Sequence, residues 1–231
     1  MKIWAISDLH LSVNNPKPMD IFGPAWDDYV DNVFADWKAK VQEEDIVLMA
    51  GDFSWAMRLE EAKADFDLLK ALPGKKIIIK GNHDYWWSSI SALRKILPEN
   101  FYALQNDALK FENCIFCGTR GWLLPDENFS AENQKIYDRE IIRLEMSLKK
   151  AQELKTDSEK IYCLLHYPPT TPAKLDTGFT NLIEKYGVCK VVYGHLHAKK
   201  NPELLYEKNG IQYYLTSCDM VGQQLVLIDK V

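Results

Sequence analysis

With 231 residues, 47% of them hydrophobic, the chain can bury one large core or two small ones. No stretch has the composition of a flexible linker, so a single domain over residues 1–231 is expected. A net charge of −5 and an isoelectric point of about 5.6 provide no field to hold a polyanion, and Lys149-Lys150 and Lys199-Lys200 are too sparse to form a basic stripe, which argues against a nucleic-acid partner. The apolar run after Lys2 is too short for a secretory signal, none is long enough to span a membrane, and the five cysteines are an odd number, which together predict reduced thiols and a cytoplasmic address.

Residues 2–7 read as a buried strand ending in Asp8-Leu9-His10, where a carboxylate and an imidazole two positions apart would share one side of an extended segment. Pro16, Pro18, Gly23 and Pro24 mark a loop. Trp26, Tyr29, Val30, Val33, Trp37 and Val41 then fall at helical spacing, which predicts a helix over 26–41 with both tryptophans in the core. A second buried strand over 45–50 finishes in Gly51-Asp52 and the aromatic turn Phe53-Ser54-Trp55. An amphipathic helix over 58–72, with Leu59, Ala62, Phe66 and Leu69 inward, stops at Pro73-Gly74 and leads into Lys76-Ile77-Ile78-Ile79, a strand buried on both faces. Strand, helix and strand make a right-handed crossover. It delivers Gly81-Asn82-His83-Asp84 to a carboxyl strand end, where open α/β sheets bind ligands. Trp86 and Trp87, before a helix over 88–97, either floor a substrate cleft or pack against the sheet.

Short strands over 101–104, 109–111 and 114–118 predict a meander in a second sheet. Cys114 and Cys117 have the spacing of a metal or redox pair, yet in a strand they point to opposite faces and no second pair exists. A helical excursion over about 119–155 follows, placed where it could shape access to a site. Its helix, 131–155, alternates acidic and basic residues on a solvated face and has Ile136, Ile141, Leu144, Leu148, Ala151 and Leu154 as its inner stripe. Buried strands over 160–165 and 189–193 end in His166-Tyr167 and in Gly194-His195-Leu196-His197. A hairpin about Asn209-Gly210 and a strand over 224–228 close the chain.

All five histidines, His10, His83, His166, His195 and His197, follow predicted buried strands. One shared site explains this better than five separate structural histidines. Imidazole and carboxylate ligands without thiolates suit Mn, Fe, Zn, Co or Ni and not a closed structural zinc site. Asp8, His10, Asp52, Asn82, His166, His195 and His197 supply seven ligands, too many for one tetrahedral ion but suited to two ions sharing a carboxylate. Such pairs, about 3.5–4 Å apart, lower the pKa of a bridging water and hold both oxygens of an in-line displacement, so a small phosphate ester is the expected substrate.

The ordered set Asp8-x-His10, Gly51-Asp52, Gly81-Asn82-His83-Asp84, His166 and Gly194-His195-x-His197 resembles the calcineurin-like metallophosphoesterase superfamily. The resemblance implies an α/β fold, a four-layer αββα sandwich of two mixed β-sheets flanked by helices, with the site at strand ends on one edge. It implies Asp8, His10 and His197 on one divalent ion, Asn82, His166 and His195 on a second, Asp52 bridging both, and manganese as the favoured metal. His83 is left free of metal, to protonate the leaving alkoxide or stabilise phosphoryl charge, and Asp84 orients either its ring or the loop. Ser/Thr protein phosphatases of the superfamily continue Gly-Asp with Asp-Arg-Gly, whereas here Phe53-Ser54-Trp55 follows. That departure leaves the phosphate clamp open, with Arg120 and Arg58 as candidates.

The expected activity is hydrolysis of a phosphomonoester or phosphodiester by a metal-bridging hydroxide. Trp86, Trp87, Trp122 and Tyr167 keep open a pyrophosphate hydrolase of nucleotide-type substrates, since they could stack a base. A non-catalytic scaffold that binds proteins is the alternative from another class, and retention of the complete ligand set weighs against it. The oligomeric state is not indicated.

Overall fold

In the computed structural model, which describes residues 1–231, β1 (Lys2–Ala5), β2 (Ile46–Met49), β3 (Lys75–Ile78) and β4 (Phe101–Ala103) lie side by side and parallel. The second sheet has six strands in the order β5-β6-β7-β8-β10-β9: β5 (Ala108–Phe111), β6 (Cys114–Thr119), β7 (Lys160–Leu165), β8 (Lys190–Tyr193), β9 (Leu205–Lys208) and β10 (Ile211–Leu215). The last strand, β11 (Val226–Lys230), returns to the first sheet and pairs antiparallel with β1.

Strands that are apolar on both sides need cover on both faces, and this sets the layering. In β2, Ile46 and Leu48 enter the core between the sheets, while Val47 and Met49 join the core on the other side of the sheet. There α1 (Tyr29–Lys40), α2 (Leu59–Lys70) and α3 (Ile90–Ile96) contribute Trp37, Phe66, Leu69 and Leu93. In β6, Cys114 and Phe116 face the first sheet, and Ile115 and Cys117 face α4 (Ala131–Leu154) and α5 (Gly178–Lys185). The chain is therefore an αββα sandwich, in which each fully buried aliphatic or phenyl side chain contributes about 1.5–3 kcal/mol. The two cysteines sit in different layers as buried free thiols.

Several expectations need correction. Residues 101–103 do not begin a second-sheet meander but complete the first sheet, with Ile78 paired to Ala103. The crossover through α3 returns the chain parallel to β3, a pairing that local alternation does not encode. The helix expected over 26–41 starts at Tyr29, because Asp28 adopts a left-handed φ of 49° that no helix passes through; Trp26 belongs to a preceding 3-10 turn. On α4 the buried stripe is Tyr137, Glu140, Leu144, Ser147, Leu148 and Ala151. It includes Glu140, which lines a polar cavity at the end of β6, and Ser147, whose hydroxyl accepts from the Gly118 N–H and donates to the Asp107 carbonyl. No helix is long and apolar enough to cross a membrane.

Candidate metal centre

The loops leaving the carboxyl ends of β1, β2, β3, β7 and β8 meet at one edge of the sandwich. The segment carrying Asp8 and His10 is not extended, as the two-residue spacing suggested: their φ values are 57° and 46°, and Asp52 and His195 are left-handed as well, at 52° and 70°. Each such conformation costs about 1–3 kcal/mol, and strain of this kind collects at functional sites. Backbone bonds from Asp8 to Gly51, His10 to Asp52 and Leu11 to Phe53, at 3.0–3.1 Å, hold the first loop against the second. The packing leaves no room for side chains between them. A Cβ on Gly51 would lie 2.7 Å from the Gly81 Cα, and one on Gly81 would run into the Asp52 carboxylate.

Two groups of ligand atoms result. Asp8, His10 and His197 converge, with His197 Nε2 3.3 Å from Asp8 Oδ1. Asn82 Oδ1 lies 2.7 Å from His166 Nε2 and 2.8 Å from His195 Nδ1. Between the groups, Asp52 Oδ2 stands 3.8 Å from His10 Nε2 and 3.4 Å from His166 Nε2. Asp8 also converges with Asp52 and His166, so it reaches further toward the second group than the sequence implied. All seven predicted ligands thus share one site.

Tautomers test whether cations fit. His166 Nδ1 is 2.9 Å from the Ala50 carbonyl and must carry the proton, so Nε2 turns its lone pair toward Asp52. His197 Nδ1 is likewise committed to Asp219 Oδ1 at 2.8 Å, which turns its Nε2 lone pair toward Asp8. Lone pairs facing buried carboxylates call for cations between them or for extra protons, and the donor set fits divalent ions. The titration behaviour shows the same demand. Burial opposes charge on His166 and His197, yet Asp52 drives the first up to about 9, and Asp219 with Asp8 drives the second up to about 10. Burial would raise Asp8 and Asp52, but His197 and His166 hold the first below the usual carboxylate range, and His166 holds the second well below it. His10 and His195, pushed down to about 4 chiefly by burial, remain neutral and able to ligate.

The sequence profile described as calcineurin-like phosphoesterase matches residues 1–199, which include all seven of these residues. The chain belongs to the calcineurin-like phosphoesterase family. Membership supports a hydrolase of phosphate esters that uses divalent metal ions. TT1561 of Thermus thermophilus, 15% identical, superposes with a TM-score of 0.60 over 98% of this chain and 97% of its own. The protein of unknown function AQ665 from Aquifex aeolicus, 14% identical, gives 0.52 over 98% and 95%. At such identities the likeness speaks for the fold alone. No curated protein matches the chain.

The rest of the phosphoesterase site differs in part from the sequence expectation. Asp84, expected beside catalytic His83 to orient either its ring or the loop, accepts hydrogen bonds from the backbone N–H of Gly81, Asp52, Phe53 and Ser54 at 2.7–3.2 Å and from Trp86 Nε1 at 3.0 Å. None of these donors is the His83 ring, so Asp84 is a positioning residue that fastens the loop after β3 to the loop after β2. Burial, with the Asp52 charge, pushes its carboxyl up to about 7 against those donors. The His83 ring lies outside both ligand groups, 4.6 Å from Trp55, and faces a cleft of about 240 Å³ that His10, Trp26, Trp55 and His197 also line. Trp26, expected in the core, is buried but shares this cleft, and Trp55 stacks on His10 at 4.7 Å. Trp86 and Trp87 are instead buried against the sheet, and neither lines this cleft. Arg58 is exposed at the start of α2, and Arg120 lies over Trp122 at 4.5 Å, so neither lines the cleft.

Asp219 escaped sequence reasoning although it, too, is a carboxylate just beyond a buried strand, β10. It accepts from His197 Nδ1 and from the Ala198 N–H at 3.0 Å. Carboxylates behind a ligating imidazole fix its tautomer, and losing one lowers metal affinity about 10–100-fold. Asp219→Asn is expected to weaken divalent-metal binding by that amount, as measured by titration against a competing chelator; unchanged affinity would show that the contact is only structural.

Proposed function

We propose that this phosphoesterase is a binuclear phosphohydrolase of small phosphomonoesters or phosphodiesters, with manganese the favoured metal. Asp8, His10 and His197 hold one ion, Asn82, His166 and His195 hold the other, and Asp52 is shared. The observation that carries this reading is Asp52 Oδ2 standing between the Nε2 atoms of His10 and His166, at 3.8 and 3.4 Å. Divalent ions bound there would activate water at neutral pH and offset charge on the phosphoryl oxygens. The left-handed loop residues hold the ligands before substrate arrives, so little reorganisation accompanies the reaction. His83 lines the cleft, half-buried and held chiefly by burial below its ordinary pKa, and in its protonated form it can pass a proton to the leaving oxygen. Manganese-loaded protein should hydrolyse p-nitrophenyl phosphate or bis-p-nitrophenyl phosphate, and their rate ratio separates monoesterase from diesterase. Silence toward both with every first-row divalent metal would defeat the proposal.

Metal uptake should also release protons. His166 and His197, raised to about 9 and about 10, stabilise the metal-free fold below their unfolded pKa of about 6.5, and that contribution is lost as pH rises through the folded values. His10 and His195, lowered to about 4, contribute stability above 6.5 that is lost as pH falls. From these four groups, the metal-free chain should melt highest near pH 6.5. At pH 8 manganese must displace the protons of His166 and His197, about two per chain. Calorimetric titrations in buffers of different ionisation enthalpy measure this number, and uptake without proton release would contradict the ligand assignment.

A further inference from the structure

One strand along the same edge, the ends of β3, β4 and β6 and the first half of α4 enclose another cavity, of about 300 Å³. Its wall sets Lys80, Arg120, Arg139 and Arg143 against a single carboxylate, Glu140. Glu140 is fully buried and already satisfied, accepting from the Thr119 hydroxyl and the Arg143 guanidinium at 2.6 Å each. Arg120 stands 3.7 Å from that carboxylate, beyond hydrogen-bond reach, and its Nε is buried without a partner. The only ion pairs in this wall are those of Arg120 and Arg143 with Glu140, so Lys80 and Arg139 form no ion pair there. Burial lowers the Arg120 guanidinium from its usual value; Arg143 and Arg139 add to this, and Glu140 opposes it.

Four cations around one spent carboxylate, in a chain of net charge −5, repel one another unless an anion enters. Guanidinium forks match phosphate oxygens, and Ser88 and Asn106 add neutral donors. The cavity is tied to the metal centre through the backbone. Lys80 directly precedes Gly81-Asn82, and the Arg120 carbonyl accepts from the N–H groups of His166 and Tyr167 at 3.0 Å. The cavity lies one strand along, about 4.8 Å or more, and shares no lining residue with the cleft at His83, so an anion here would not sit directly beside the scissile position. That placement suits a phosphate several bonds away rather than the neighbouring phosphorus of an anhydride.

We infer that this cavity receives a second phosphate group of the substrate, so that the preferred substrate is a small bisphosphorylated molecule. The inference rests on the phosphohydrolase reading of the adjacent site. With the manganese-loaded full chain, alkyl monophosphates are compared with α,ω-alkanediol bisphosphates of increasing length. At one length kcat/KM should favour the bisphosphate by about tenfold or more, mainly through KM. The double substitution Arg139→Gln with Lys80→Gln leaves no carboxylate unpaired and should cut the preference to about threefold or less. No preference at any length, or a preference that survives the substitutions, overturns the inference. Failure of the phosphohydrolase reading is recognised separately, as no hydrolysis of any ester. Equilibrium binding of radiolabelled sulfate to the full chain then tests the cavity without turnover. Loss of one bound sulfate in the double variant supports the anion site, and equal binding overturns it. Sulfate bound there with no bisphosphate preference would assign the cavity to a free anion and overturn the substrate inference.

Discussion

Asp52→Asn is expected to lower metal-dependent turnover by about 10³-fold or more and to reduce bound manganese from two ions to one per chain. The substitution keeps the shape of the side chain. Asp52 Oδ1 accepts from the His83 N–H at 2.7 Å, which an amide oxygen can continue to do, so the loop should hold. What disappears is the charge of Oδ2, the atom that faces both His10 and His166. Ligand charge at such a centre supports several kcal/mol of transition-state stabilisation, and about 4 kcal/mol corresponds to a factor near 10³. Turnover measured with a saturating aryl phosphate, beside metal content of the purified variant, decides the matter. A variant within tenfold of the parent would remove Asp52 from the centre of the mechanism, because the reaction would then have no use for that charge.

Much of this arrangement can be read from the order of residues, for a definite physical reason. Doubly buried strands advertise themselves as apolar runs, and polar residues at their carboxyl ends can converge only at one edge of a parallel sheet. Asp8, Asp52, Asn82, His166 and His195 are found that way. The same signal exposes Asp219 once carboxylates after the hairpin are held to the same rule as the histidines. Other features leave no such trace. Left-handed geometry at Asp8, His10 and Asp52 is imposed by hydrogen bonds between distant loops, without a glycine to announce it. Trp26 sits at helical spacing, but a turn at Asp28 places it beside His197. Glu140 belongs to a helix whose charges mostly meet solvent, and it is buried against Thr119, 21 residues away in the chain, and Arg120 beside it. Periodicity reports which face of an element is covered, not what covers it.

His83 carries the other large expected effect. Replacing it by Gln should lower kcat about 10²–10⁴-fold for esters of alkyl alcohols, the range for loss of a positioned general acid. Esters of nitrophenol should lose far less, because that leaving group departs as a stable anion and needs little protonation. Manganese content should not change, since the His83 ring packs on Trp55 and lies 5.6 Å from His10, outside the ligand contacts of either group. The contrast between leaving groups separates proton donation from charge stabilisation: an imidazole that only offset phosphoryl charge would, when lost, slow both ester types alike. Rates for the variant across alkyl and aryl esters, with metal content measured on the same preparation, distinguish the two roles, and equal losses would assign His83 to the phosphoryl oxygens.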